Sequence, residues 1–388
     1  MEKKRVLFVG DHPLAMTGNG NMMAAVLSQV DVSRFQIGCF TSGISGIVPK
    51  TMIPFPFVLY DWTGHDWNRV DDALVQIIET IDLDILVMVG TDIWSHARKF
   101  QQIDAVRKSK GFKWVSIFPY DLQELRNDWI YLIKFIDTPA VYSQYGFEML
   151  KDHIPKIRYF RPPLYNSDLF SKLDDKVRAE QRYKLFETVS DNEVIFGFVG
   201  QNQIRKDIPR LIRAFVEAFK QVKNIRLYLH TDLEGKLHLT QMARDYKATT
   251  GMLISKERGR RYSGQHMANV YNSIDCLVNC TMQEGLSWTP LEAMLCGTPV
   301  IVSDSTAHPE LVGDAGRLVP VSELSYVPIL TEFKFSLGEG FDFEESFDVL
   351  IKPLLENGLL TNQNRSFLIT NNGRKHITKL TKNLRYLQ

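Results

Sequence analysis

Short apolar, β-branched runs alternate with longer stretches of helical periodicity from one end of the chain to the other. In the first half the runs are residues 5–9, 36–40, 85–89, 114–118 and 140–142, and most are continuously apolar rather than alternating. A strand of a parallel sheet needs that character, because helices cover both of its faces. Between the runs, Val70, Ala73, Leu74, Ile77 and Ile78 recur at helical spacing and predict a helix over residues 71–80. The pattern then restarts with strands expected at 194–199, 225–230, 251–254, 276–279, 299–302 and 316–319, separated by helices such as 209–220 and 266–273. Two successive βα series predict an α/β protein with two tandem Rossmann-like, doubly wound domains facing a cleft.

The segment 161–168 has the prolines and polar residues of a linker. An N-terminal domain is therefore expected over 1–168 and a second over 169–365, opening with a charged helix near 171–187. Residues 322–343 read as an irregular loop. A C-terminal helix within 366–388, polar and basic from Arg374 onward, is expected to pack back on the first domain.

Length supports two domains, since 388 residues exceed what one hydrophobic core usually organises. The 46 basic and 45 acidic residues leave a net charge of +1, so no global field points to nucleic acid or an anionic membrane. The apolar run from Val6 to Val9 is too short for a signal-peptide core, and no run of eighteen apolar residues occurs. Cys39, Cys276, Cys280 and Cys296 form no Cys-x-x-Cys pair and no Cys/His cluster, which fits reduced thiols and a cytoplasmic protein without a metal site.

Three segments carry chemistry. In Glu284-Gly-Leu-Ser-Trp-Thr-Pro-Leu-Glu292-Ala-Met-Leu-Cys-Gly297-Thr-Pro-Val-Ile, a loop feeds a helix that Gly297 ends. A helix N-terminus at the carboxyl edge of a parallel sheet offers free backbone N–H groups to an anionic diphosphate, and the flanking carboxylates suit ribose or sugar hydroxyls. The second segment, Phe198-Val-Gly-Gln201-Asn-Gln-Ile-Arg205-Lys206-Asp207, places a basic pair after a strand. The third, Gly10-Asp-His-Pro-Leu-Ala-Met-Thr-Gly18-Asn19-Gly20-Asn21, is a glycine loop that lacks the Gly-x-Gly-x-x-Gly of a dinucleotide site, which disfavours dehydrogenase chemistry.

Glu284 and Glu292, with seven residues between them and followed by Ala-Met-x-x-Gly-Thr-Pro-Val-Ile, resemble the Glu-x7-Glu signature of retaining family-4 glycosyltransferases of GT-B fold. The resemblance is close over 194–320 and looser over 1–170. It implies that Glu292 binds the ribose, that Glu284 contacts the transferred sugar, and that the amides of Gly285, Leu286 and Ser287 hold the distal phosphate. Lys206 falls on the family lysine that neutralises the diphosphate. Gln201 replaces the family arginine, leaving Arg205 to supply its charge. Gly18, Asn19 and Gly20 resemble the loop that reaches the donor across the cleft. The family histidine near the transferred sugar is absent from Phe118-Pro119-Tyr120-Asp121, where Asp121 is the better substitute and Tyr120 an acceptor-side candidate. Asp92, Trp94 and His96 form a second acceptor-side cluster.

The resemblance implies metal-independent, retaining transfer from a nucleotide-diphosphate sugar, a UDP- or GDP-sugar, to an acceptor hydroxyl, with Glu284, Asp121 and Lys206 as the catalytic group. The nucleotide sugar is a co-substrate; no cofactor is expected. A glycan, a lipid or a hydroxylated base in DNA remain open as acceptor. A nucleotide-sugar epimerase and a non-catalytic nucleotide-sugar-binding protein are the alternative functions.

Overall fold

A computed structural model describes residues 3–15, 17–42, 58–61, 67–90, 99–254, 263–321, 360–363 and 366–369. The chain divides into two compact units, Met1–Val321 and Ser322–Gln388. The first unit holds two parallel sheets. One is built from β1 (Lys4–Asp11), β2 (Phe35–Ser42), β3 (Val58–Asp61), β4 (Ile85–Val89), β5 (Lys113–Phe118), β6 (Thr138–Val141) and β7 (Arg158–Tyr159), in the order β3-β2-β1-β4-β5-β6-β7. The other consists of β8 (Val194–Val199), β9 (Ile225–His230), β10 (Met252–Ile254), β11 (Cys276–Asn279), β12 (Val300–Asp304) and β13 (Arg317–Pro320), in the order β10-β9-β8-β11-β12-β13.

The helices α1 (Gly18–Ser28), α2 (Trp67–Thr80), α3 (Phe100–Lys110), α4 (Asn127–Ile133) and α5 (Gln144–Leu150) belong to the first sheet. Those of the second are α6 (Asp175–Leu185), α7 (Ile208–Gln221), α8 (Leu239–Asp245), α9 (Gly264–Ser273), α10 (Trp288–Leu295) and α11 (His308–Val312). Two doubly wound domains are therefore present, as the repeated βα pattern predicts.

Burial explains why the strands read as continuous apolar runs. Leu7 and Val9 of β1 pack with Leu86, Met88, Phe100 and Trp114 on one face, while Val6 and Phe8 pack with Met22, Met23 and Val87 on the other. The charged helix α6 has no buried residue, and ion pairs fasten it instead: Arg178 and Arg182 reach Asp275 at 2.8 and 2.9 Å.

In each sheet the chain winds outward on one side of a central strand and then resumes on the other. The resulting switch points lie between β1 and β4 and between β8 and β11. Loops diverge at the carboxyl edge of such a point and leave a crevice for ligand. In the second sheet, the two loops that diverge there are 200–207 and 280–287.

The second unit contains an antiparallel pair, β14 (Leu360–Gln363) and β15 (Ser366–Ile369). Residues 366–369 are thus strand rather than the start of the expected helix, because their backbone pairs with β14. The basic tail and the expected loop 322–343 lie outside the described residues.

Candidate active site

The two loops at the second switch point bring the charged residues together. After β8 the chain makes a 3-10 turn, Ile204–Lys206, that ends at Asp207 in the left-handed region with φ 47°. The loop after β11 is stitched to this turn through one carbonyl. Arg205 O accepts the Met282 N–H at 2.8 Å and the Thr281 hydroxyl at 3.0 Å. Arg205 and Lys206 are thereby held against Glu284.

Glu284 is 5% exposed, and both its oxygens meet cations: Arg205 Nη1 lies 3.0 Å from Oε2, and Lys206 Nζ contacts Oε1. Burial pushes the Glu284 pKa up, but the charges of Lys206 and Arg205 outweigh it and hold the carboxyl below its ordinary value. Burial lowers the Lys206 ammonium, with Glu284 opposing that shift and Arg205 adding to it. An ionised Glu284 clasped by two cations is the consistent state of the cluster. Its backbone is fixed too: the Glu284 N–H donates to Thr306 Oγ1 at 2.8 Å, and the same hydroxyl donates back to Glu284 O at 2.9 Å.

Beyond Glu284 the backbone turns into α10. The N–H groups of Gly285, Leu286 and Ser287 have no acceptor among the described residues. Ser287, the residue before the helix, turns its hydroxyl to accept from Asn279 Nδ2 at 3.0 Å instead of capping. Free amides at a helix N-terminus form a cradle for an oxyanion. Gly297, at φ 74°, ends the helix as expected; Thr298 N–H returns to Ala293 O at 2.9 Å, closing a Schellman turn.

Glu292 is buried on α10 and accepts the Tyr271 hydroxyl at 2.6 Å. Tyr271 is the one hydrogen-bond donor to it among the described residues, which leaves capacity on the other carboxylate oxygen. Burial raises its pKa, with the Tyr271 bond opposing.

From the first sheet, the loop after β5 carries Asp121 to this cluster. Burial raises the Asp121 pKa, the positive field of Arg205 opposes the rise and the negative field of Glu284 adds to it. Tyr120 does not join them. It is fully buried in the first core, stacks edge-on against Trp129 at 5.7 Å, and donates to Glu124 O at 3.0 Å, so it is not available to an acceptor.

Gly18, Asn19 and Gly20 form the first turn of α1 rather than a loop, because Thr17 caps the helix by accepting the Gly20 N–H at 2.9 Å. A Cβ on Gly20 would lie 2.1 Å from Ala15 O, so this glycine serves close packing. Gly18 does reach the second domain: its carbonyl accepts Trp288 Nε1–H at 3.0 Å. Asn19 lies against Gly90, at the end of β4. Gln201 is exposed, and its side-chain oxygen accepts from Gln203 Nε2 at 2.8 Å. The guanidinium expected to stand in for it, Arg205, pairs with Glu284 at 3.0 Å.

Asp92, Trp94 and His96 lie outside the described residues, as do the basic residues of 256–261. Arg107, in the basic last turn of α3, pairs with Asp104 at 2.6 Å and Asp137 at 2.9 Å. Sequence reasoning assigned no role to Gln123, Trp288, Ser305 or Glu310, all of which the fold brings to the contact between the two domains.

Comparison with known proteins agrees with this geometry. Residues 193–326 match the family model of glycosyl transferases group 1. No curated protein matches the sequence. Among solved structures, a sucrose-phosphate synthase from Thermosynechococcus elongatus is similar at TM-score 0.62 and 16% identity, over 83% of this chain and 87% of that one. Anabaena HepE in complex with UDP-glucose gives TM-score 0.62 and 13% identity, over 82% and 86%. A glycosyltransferase from Rickettsia africae ESF-5 gives 0.61 and 13%, over 83% and 86%. The chain thus has the two-domain, Rossmann-like GT-B fold of glycosyltransferases, and the stretch 193–326, which carries Lys206, Glu284 and Glu292, is the part that matches glycosyl transferases group 1.

Proposed function

We propose that this protein transfers a sugar from a nucleotide-diphosphate sugar, a UDP- or GDP-sugar, to an acceptor hydroxyl, with retention and without a metal ion. The observation that carries this reading is the convergence of Lys206 and Arg205 on the buried Glu284, beside the unbonded amides of Gly285–Ser287. A group 1 match over the same residues and the UDP-glucose bound by HepE support it.

The chemistry follows from charge placement. A donor diphosphate brings negative charge to the amide cradle and the two cations, and its departure from the sugar concentrates charge on the leaving oxygen. Lys206, Arg205 and the amides stabilise that charge from fixed positions in a site of low water content. As the diphosphate engages the cations, Glu284 is released toward the transferred sugar, where a carboxylate favours an oxocarbenium-like centre. Glu292 takes the ribose hydroxyls on its open oxygen. Asp121, on the acceptor side, orients the incoming hydroxyl. A glycan, a lipid or a hydroxylated DNA base are the acceptor classes to examine.

The test is nucleoside diphosphate release from UDP- and GDP-sugars with a panel of acceptors, and the anomeric configuration of the product by NMR. Turnover that requires acceptor, retention, and a loss of about a hundredfold or more in Glu284→Ala are expected. Donor binding without turnover for every acceptor would instead mark a binding protein, and inversion would overturn the stereochemical assignment. An altered sugar still attached to the nucleotide would mark an epimerase.

A further inference from the structure

The loop that carries Glu284 is held from the first domain as well as from its own. Gly285 packs on Pro119, where a Cβ would lie 2.6 Å from Pro119 Cβ. Gln123 Nε2 donates to Ser305 Oγ at 3.0 Å and reaches Met282 O at 3.4 Å. Glu310, at the start of α11, accepts the backbone N–H groups of Gln144 at 2.9 Å and Tyr145 at 2.6 Å. Tyr145 closes a circuit, since its hydroxyl donates to Leu122 O at 2.8 Å, one residue before Gln123.

The polarity of this circuit is defined. An amide nitrogen only donates, so Ser305 Oγ accepts from Gln123 and directs its single proton to Met282 O, 2.6 Å away. The adjacent Thr306 satisfies both backbone groups of Glu284. A continuous series of hydrogen bonds and short backbone links thus runs from α5 of the first domain to Glu284 in the second.

We propose that Gln123 and Glu310 are positioning residues that join the two domains and, through Ser305 and Thr306, set the backbone of Glu284 for the donor sugar. This inference rests on the reading of Glu284 as a donor-site residue. It makes closure of the domains and alignment of the carboxylate a single event, because the group that bridges the domains also fixes the hydroxyl that orders the loop.

Gln123→Glu is the discriminating variant. It keeps size but replaces a donor with an acceptor, drawing the Ser305 proton away from Met282. Wild type, Gln123→Ala, Gln123→Glu, Glu310→Ala and Glu310→Gln are compared for kcat, donor KM and Tm. Interdomain distance is read from fluorophores on Tyr131→Cys and Tyr183→Cys, both at exposed positions. Both Gln123 variants are expected to lose about five- to tenfold in kcat/KM, the cost of one lost or inverted hydrogen bond in a site. Tm should stay near wild type, the donor-free distance distribution should broaden, and Glu310→Gln should recover part of the Glu310→Ala loss. Wild-type kcat/KM and an unchanged distance distribution in Gln123→Glu would overturn the proposal while leaving the Glu284 reading intact. Should wild type neither bind nor turn over any nucleotide sugar, the Glu284 reading fails instead, and the distance measurement alone decides whether Gln123 joins the domains.

Discussion

Glu284, Lys206 and Arg205 were legible in the sequence because each sits in a short local motif just after a predicted strand, and parallel topology delivers such loops to one edge. Asp121 was legible for the same reason. Tyr120 was not: it adjoins Asp121 in the chain yet lies in the core, and composition does not say which of two neighbours faces the cleft. His230 carried no sequence signal at all, yet its environment makes a sharp prediction. It is buried at the end of β9 with Nδ1 2.8 Å from the Tyr228 hydroxyl, and burial lowers its pKa from 6.5 to about 4. The unfolded chain therefore binds more protons between these values, so stability rises with pH across that window and is lost as pH falls through it. The difference corresponds to at most about 3 kcal/mol. His230→Gln should flatten Tm against pH between 6.5 and 4; an unchanged profile would show that His230 is not the group being titrated.

At the scale of elements, the continuous apolar strands and the amphipathic helices were predicted within a few residues, because burial on two faces leaves a strong pattern. The strands that escaped notice are short: β3 has four residues and β7 has two, both of them exposed in β7. The beginning of α1 was hidden by its glycines, which are poor helix formers; the Thr17 cap overrides them. Gly285 shows how one element depends on another. Its missing side chain lets the Glu284 loop touch Pro119, so Gly285→Ala forces the two domains apart or strains the loop, at about 1–3 kcal/mol of overpacking. A raised donor KM with a wider interdomain distance is the expected result. A variant with wild-type KM and distance would show that this contact does not govern closure.

For the whole molecule, two doubly wound domains followed from the repetition of βα units, but the boundary of the compact units at Val321 did not. Neither did the contact between the domains, which pairs residues as distant as Gln123 and Ser305 and leaves no local trace in the sequence. That contact is what brings Asp121 of the first domain into the field of Arg205 and Glu284. The central claim is that this site binds a nucleotide sugar, and it is tested most directly by thermal shift of wild type and Glu292→Ala against a panel of UDP- and GDP-sugars. A ligand that binds only the folded state stabilises it by about 2.7 kcal/mol at a hundred times its Kd. At least one donor should raise the wild-type Tm and raise that of Glu292→Ala less; no shift with any nucleotide sugar would contradict the account.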